Sequence, residues 1–381
     1  MEYIPEQKGK SIYKTYMIYF ICMVLFCIVR ILASHGFMYM DGSRWSDVFY
    51  TVLIQVGLMF LLPMYLYCRM IKVTPTSVFK TCNYFKLTWP IVFTSLFMGV
   101  LTFFINIIVS TFFTGIIQFT GYQSPLVFSS GVLPDYSIAN FFLDVLLVAV
   151  LPAMCEEFMH RGLLLQGTKH MGFTKSIIMS SVLFGLLHFN INQVSYAIVL
   201  GLIMGYVSVV AKNIWPAIIV HFTNNFISVY LDYAQANGWP LGNFYEAFNG
   251  LFRKMNMYVV ILVITVALVL VVMILLWLVT ILYKQAILRK VKKAIGNAYK
   301  SSSYDVRNAP VVLDRDQSIR AMLATNTMLN LEYEEMKNPL SVVMPKQTSV
   351  YKSTSKDNLF LVGSFILGFL VTLFTFIWGF I

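Results

Sequence analysis

The chain has 381 residues, of which 58% are hydrophobic and only 12% charged, and its mean hydropathy is +0.73. A soluble domain carries about 25% charged residues, so this composition excludes that class and marks a multi-pass membrane protein. The net charge of +11 sits mostly in short Lys and Arg runs beside apolar segments, the pattern of membrane orientation and not of a nucleic-acid-binding face.

A helix needs about 20 apolar residues to cross a bilayer, and on that basis about nine spans are predicted in an all-α, polytopic transmembrane helix bundle. They run from Tyr16 to Ala33, Val48 to Met70, Leu87 to Val109, Ile138 to Leu165, Ser176 to Phe189, Gln193 to Ala211, Ile214 to Tyr233, Met257 to Tyr283 and Leu359 to Ile381. The fifth is short, which a bundle interior tolerates. The basic N-terminal stretch leads into a long apolar run without a small-residue exit, so it reads as a retained first span and not a cleaved signal. By organisation, residues 1–137 hold the N-terminal spans, 138–233 the polar motifs, 257–283 the eighth span, 284–357 a soluble cytoplasmic segment and 358–381 the last span. The soluble segment contains a helical-looking piece from Asp314 to Lys337 and reads either as a solvated linker to the last span or as a region that docks on a partner or on the bundle.

Lys8, Lys10 and Lys14 place the amino terminus in the cytoplasm. Arg69, Lys72, Lys80, Lys86, Arg161, Lys169, Lys175, Lys212 and the run from Lys284 to Lys293 then fall on the same side, only Arg253 and Lys254 cut against the rule, and the carboxyl terminus falls outside. The five cysteines lie in or beside apolar segments without a paired framework, which argues against a disulfide scaffold.

Within these apolar segments stand a few groups that are costly at membrane depth and therefore mark a functional site. Glu156, Glu157 and Arg161 lie in the fourth span, His188 in the fifth, and His221 with Asn225 in the seventh. Glu157 and Arg161 are four apart, so they pair on one helix face. Glu156, turned about 100° away, is left as the candidate base, with His188 to help it hold water. His221 and Asn225, also four apart, offer two donors to a developing oxyanion. Phe184, one turn before His188, would wall the cavity. Rise along each helix puts these groups in the middle or inner half of the membrane, around a cavity expected to open to the inside.

The pattern E-E-x-x-x-R, F-x-x-x-H and H-x-x-x-N, here Glu156, Glu157 and Arg161, then Phe184 and His188, then His221 and Asn225, resembles the intramembrane CAAX-protease and bacteriocin-processing enzymes. This is the CPBP or Abi group, to which the Ras-converting CAAX endopeptidase belongs. The resemblance spans about Ile138 to Tyr233. It implies a helical core and a glutamate-dependent peptidase, in which the first Glu and first His activate water while the second His and the Asn serve the oxyanion. The final span and the soluble segment exceed that core as a C-terminal extension. Substrates compatible with the resemblance are prenylated CAAX tails, leader peptides or membrane-protein segments; no cofactor is expected.

Other readings stand beside this one. Glu156, His160, His188 and His221 supply enough ligands for zinc with a water, although no H-E-x-x-H is present. A non-catalytic scaffold or chaperone would bind a partner through the bundle and the soluble segment. A transporter would use the same buried charges, though no repeat symmetry supports it.

Overall fold

The computed structural model describes residues 10–34, 44–122, 135–253, 255–301, 355 and 358–378, and all regular structure among them is helical. The helical piece expected at 314–337 lies outside the described residues. The principal elements are α1 (Lys10–Ser34), α2 (Arg44–Ile71), α3 (Pro75–Thr81), α4 (Trp89–Gln118), α5 (Ile138–Thr168) and α6 (Phe173–Leu187). They continue as α7 (Ile191–Ala211), α8 (Trp215–Asn237), α9 (Phe244–Arg253), α10 (Met257–Ser301) and α11 (Leu359–Trp378).

Seven of these helices are long and apolar enough to cross a membrane, against the nine expected. The two that fall short are α6, with 15 residues, and α8. The reason is physical. α6 is sheathed by α5 and α7, so it needs neither the length nor the apolarity of a lipid-facing rod. α8 spends its apolar character on His221, Thr223, Asn224, Asn225 and Asp232. α10 shows the opposite extreme: Tyr258, Leu262 and Met273 stand exposed along it, as a lipid-facing surface requires.

Two helices are locally widened to π geometry ahead of a proline. In α2 the stretch Leu53–Leu61 precedes Pro63, and in α5 the stretch Val145–Val150 precedes Pro152. A helical proline has no N–H and clashes with the preceding turn, and π turns are one way to absorb it. A further π stretch, Phe158–Leu164, follows in α5.

Contacts near the helix ends define two faces of the bundle. At the first, Lys14 Nζ donates to the Met70 carbonyl at 2.6 Å and Tyr16 meets Met171 Sδ at 3.5 Å. Lys72, Lys169 and Lys212 stand at helix ends of the same alternation. At the second face Arg44 pairs with Asp144, and Tyr233 donates to the other Asp144 oxygen at 2.7 Å. There too Asn192 donates to Tyr122 at 3.3 Å, and the Ile191 N–H to Thr375 at 3.1 Å. Asp144 is thus a helix-bridging group. The first residues of α1 lie at the lysine-bearing face and the last residues of α11 at the other.

The core forms two large clusters. One joins α1, α2, α5 and α6 around Tyr16, Met23, Met59 and Phe158; the other joins α4, α6, α7, α8 and α10 around Met98, Phe184, Met204 and Val220. Glycines permit the closest approaches: a Cβ on Gly201 would stand 3.0 Å from the Ser181 Cα of α6, and one on Gly99 would stand 2.4 Å from the Thr223 Cβ of α8. Thr223 lies two residues from His221, so strain at Gly99 reaches the polar face of α8 directly. Gly99→Ala is expected to lower stability by about 1–3 kcal/mol, the usual cost of overpacking. Thermal unfolding of the purified variant in detergent measures it; an unchanged melting temperature would refute the close α4–α8 contact.

Candidate functional site

The site starts from a single carboxylate. Glu157 is fully buried and its Oε1 accepts from Arg161 Nη1, one helical turn on, at 2.7 Å. The same oxygen meets His221 Nδ1 of α8 at 3.0 Å. Arg161, 1% exposed, donates from Nη2 to the Gly201 carbonyl of α7 at 3.0 Å. Its guanidinium lies 4.6 Å from the centre of the Phe184 ring of α6, within the range of a cation–π contact. The pair read from the i, i+4 spacing therefore joins α5, α6, α7 and α8.

Phe184 is the hub of the rings. It meets His160, His188 and His221 edge-on, at centroid separations of 5.1, 5.1 and 5.7 Å. A phenylalanine here separates the imidazoles without offering any of them a polar partner, so each must be oriented from elsewhere. His188 Nδ1 lies 2.9 Å from the Phe184 carbonyl. A carbonyl only accepts, so Nδ1 carries the proton, and in the neutral ring Nε2 keeps its lone pair.

Glu156 and His188 line one partly open cavity of about 360 Å³, the space at its mouth included, together with Arg30, Gln55 and Gln193. Phe26, Met59 and Leu187 are among its apolar walls. Gln55 Nε2, from the π stretch of α2, donates to Glu156 Oε1 at 2.8 Å. Arg30 Nη1, from α1, donates to the His188 carbonyl at 2.7 Å. The cavity was expected to open toward the lysine-bearing face. It lies instead among the last turns of α1, the end of α6 and the first turn of α7, toward the other face, because His188 stands at the far end of its helix.

His221 and Asn225 do not line that cavity. His221 is behind Phe184 on the Glu157 side, and Asn225 Nδ2 donates to the Val148 carbonyl at 3.0 Å. Val148 lies one turn before Pro152, which has no N–H to give it; the asparagine takes that place. Asn225 is also held by its neighbour: Asn106 of α4 donates to Asn224 at 2.6 Å, and Asn224 donates to Asn225 Oδ1 at 3.0 Å.

The four residues suggested for zinc are not arranged as a metal set. His160 is fully buried, its Nδ1 lies 2.8 Å from the Glu156 carbonyl and its Nε2 lies 3.2 Å from the Tyr19 hydroxyl. Both ring nitrogens are thereby engaged, and among the described residues no group of three or more His, Cys, Asp or Glu side chains is placed to hold a metal ion.

Sequence reading gave no site role to Gln55, Asn106, Asn224, Tyr19 or Arg30. A lone amide inside an apolar run, as in LIQVG and FFINII, was the available signal, since such groups bridge helices in a membrane.

Residues 138–227 match the family model described as Rce1-like, type II CAAX prenyl endopeptidase. No curated protein and no solved structure matches the chain. The matched segment holds α6, α7 and the motif-bearing parts of α5 and α8; Gln55, Arg30 and Asn106 lie outside it.

Removing one member of a buried ion pair leaves the other charge uncompensated, at about 3–5 kcal/mol. Glu157→Ala and Arg161→Ala are each expected to reduce membrane abundance and melting temperature by that order. Two variants as abundant and heat-resistant as the parent would show that the pair does not hold the bundle.

Proposed function

We propose that this protein is a membrane-embedded endopeptidase of the CAAX type that hydrolyses a peptide bond with water activated by Glu156 and His188. The family match at 138–227 supports the class of activity. The observation that supports the assignment of roles is the shared cavity, where a carboxylate and an imidazole with its Nε2 lone pair stand together.

In this reading water binds between Glu156 and His188 Nε2. Proton transfer to the carboxylate as the oxygen attacks the scissile carbonyl produces a tetrahedral oxyanion, and the same proton then passes to the leaving amine. Gln55 fixes one carboxylate oxygen by donating to it, so Glu156 meets the water in a single orientation. His221 and Asn225 serve the oxyanion. For His221 to donate from Nε2 while Nδ1 faces Glu157, the ring must carry both protons, beside a carboxylate that it shares with Arg161. The second N–H of the Asn225 amide, beyond the one given to Val148, supplies the other donor. Phe184 lies between His221 and His188, so in this reading His221 reaches the oxyanion only when that ring shifts. The substrate class includes prenylated CAAX tails, leader peptides and membrane-protein segments.

Orientation enters the same proposal. With the amino terminus cytoplasmic, as the lysines argue, the cavity lies in the outer half of the bundle. A protease-sensitive tag ahead of residue 10 should then be cut only in inside-out vesicles, and cutting in right-side-out vesicles would reverse the assignment.

Glu156→Gln is expected to abolish processing while leaving the melting temperature unchanged, read by mass spectrometry of peptide ends in membranes of variant and parent strains. Gln55→Leu should lower the rate by about 10²-fold, the scale of a misplaced catalytic group. A Glu156→Gln protein with full function would remove the proposed base and leave the scaffold reading in its place.

A further inference from the structure

The cavity contains one charge that the hydrolytic scheme leaves unused. Arg30 lies on α1 within an apolar span, Ile12–Ala33, where an unpaired cation is costly. Its known partner is neutral: Nη1 donates to the His188 carbonyl at the end of α6. Such a contact caps the helix and suits its negative end, yet it uses one N–H of a guanidinium that has five in a planar fork. None of the ion pairs among the described residues includes Arg30. Glu156, which shares the cavity, is held by Gln55 and not by the arginine.

We propose that Arg30 is the anchor for the terminal carboxylate of the peptide substrate, and so sets how close to the chain end the cut falls. This inference rests on the hydrolytic reading above. A guanidinium matches a carboxylate in two parallel hydrogen bonds, and a bound carboxylate would supply the counter-charge that α1 lacks. Arg30 shares one cavity with Glu156 and His188, between Phe26, Met59 and Leu187. A lipid phosphate would be expected on the outer surface of the bundle, whereas this position is beside the reacting groups. Gln193, on the same wall, is available to a backbone group of the penultimate residues.

The test uses a fluorescent farnesylated hexapeptide made with a free carboxyl terminus and again as its carboxamide. Binding is measured to full-length Glu156→Gln protein in nanodiscs of zwitterionic lipid, with and without Arg30→Gln, which removes the charge and leaves a shorter, neutral amide in its place. The acid is expected to bind at least about tenfold more tightly than the amide, a tenfold ratio being the minimum for one charge-assisted pair. That preference should collapse to within about twofold in Arg30→Gln and be largely kept in Arg30→Lys. Equal binding of the two peptides by the protein that retains Arg30 overturns the proposal, as does an unchanged preference in Arg30→Gln. If added phosphatidylglycerol abolishes the preference, the occupant is lipid phosphate and the proposal again fails. Should Arg30→Gln not fold, the acid-to-amide ratios of the protein that retains Arg30 and of the Arg30→Lys variant still decide. Hydrolysis by the parent is scored separately: charge-dependent binding without cleavage of either peptide retains the anchor and removes the reaction.

Discussion

A carboxylate with no access to water organises this bundle. Glu157 accepts from Arg161 on its own helix and meets His221 on α8, and Arg161 continues to the Gly201 carbonyl of α7 while lying over Phe184 of α6. A buried pair of this kind gains little over well-packed apolar residues, but the loss of one member is severe. Its value lies in specifying an arrangement: the charges are satisfied only when α5, α7 and α8 meet at one level and register. Glu156 then follows by helical geometry, about 100° round the axis from Glu157, which turns it toward α1, α2 and the cavity shared with His188.

Two prolines shape the helices that frame this point. Pro152 leaves the Val148 carbonyl without its usual donor, and the Asn225 amide occupies that position from α8. Pro63 follows the widened turns that carry Gln55 to Glu156. In α5 the irregular stretch is compensated by a polar side chain from another rod, whereas in α2 it presents its own polar side chain to a neighbour. The polar groups thus join helices and, in the proposed reaction, serve chemistry as well. Their dual use explains why α6 and α8, which carry the imidazoles of two motifs, are the least suited to lipid. They pack against helices that also present apolar outer surfaces, α4 and α5 among them.

Much of this was legible in the chain itself. Composition excluded a soluble domain, and apolar runs located most helices. Intramembrane charges and imidazoles stood out because each is costly where it lies, and the i, i+4 spacing of Glu157 and Arg161 encoded their pair. Local sequence could determine these features because hydropathy and helical periodicity are properties of consecutive residues.

What tertiary structure decided was which rods are neighbours and what each polar atom meets. Gln55, Arg30 and Asn106 resembled isolated polar residues in apolar runs, and only packing brought them to Glu156, His188 and the Asn224–Asn225 pair. Packing also placed Phe184 between the imidazoles and engaged both nitrogens of His160, and it set the cavity toward the face opposite the lysines. The physical reason is that a hydrogen bond between residues 100 or so positions apart depends on the relative rotation and depth of two helices. Those are set by the summed packing of the whole bundle, to which no single stretch of the chain holds the answer.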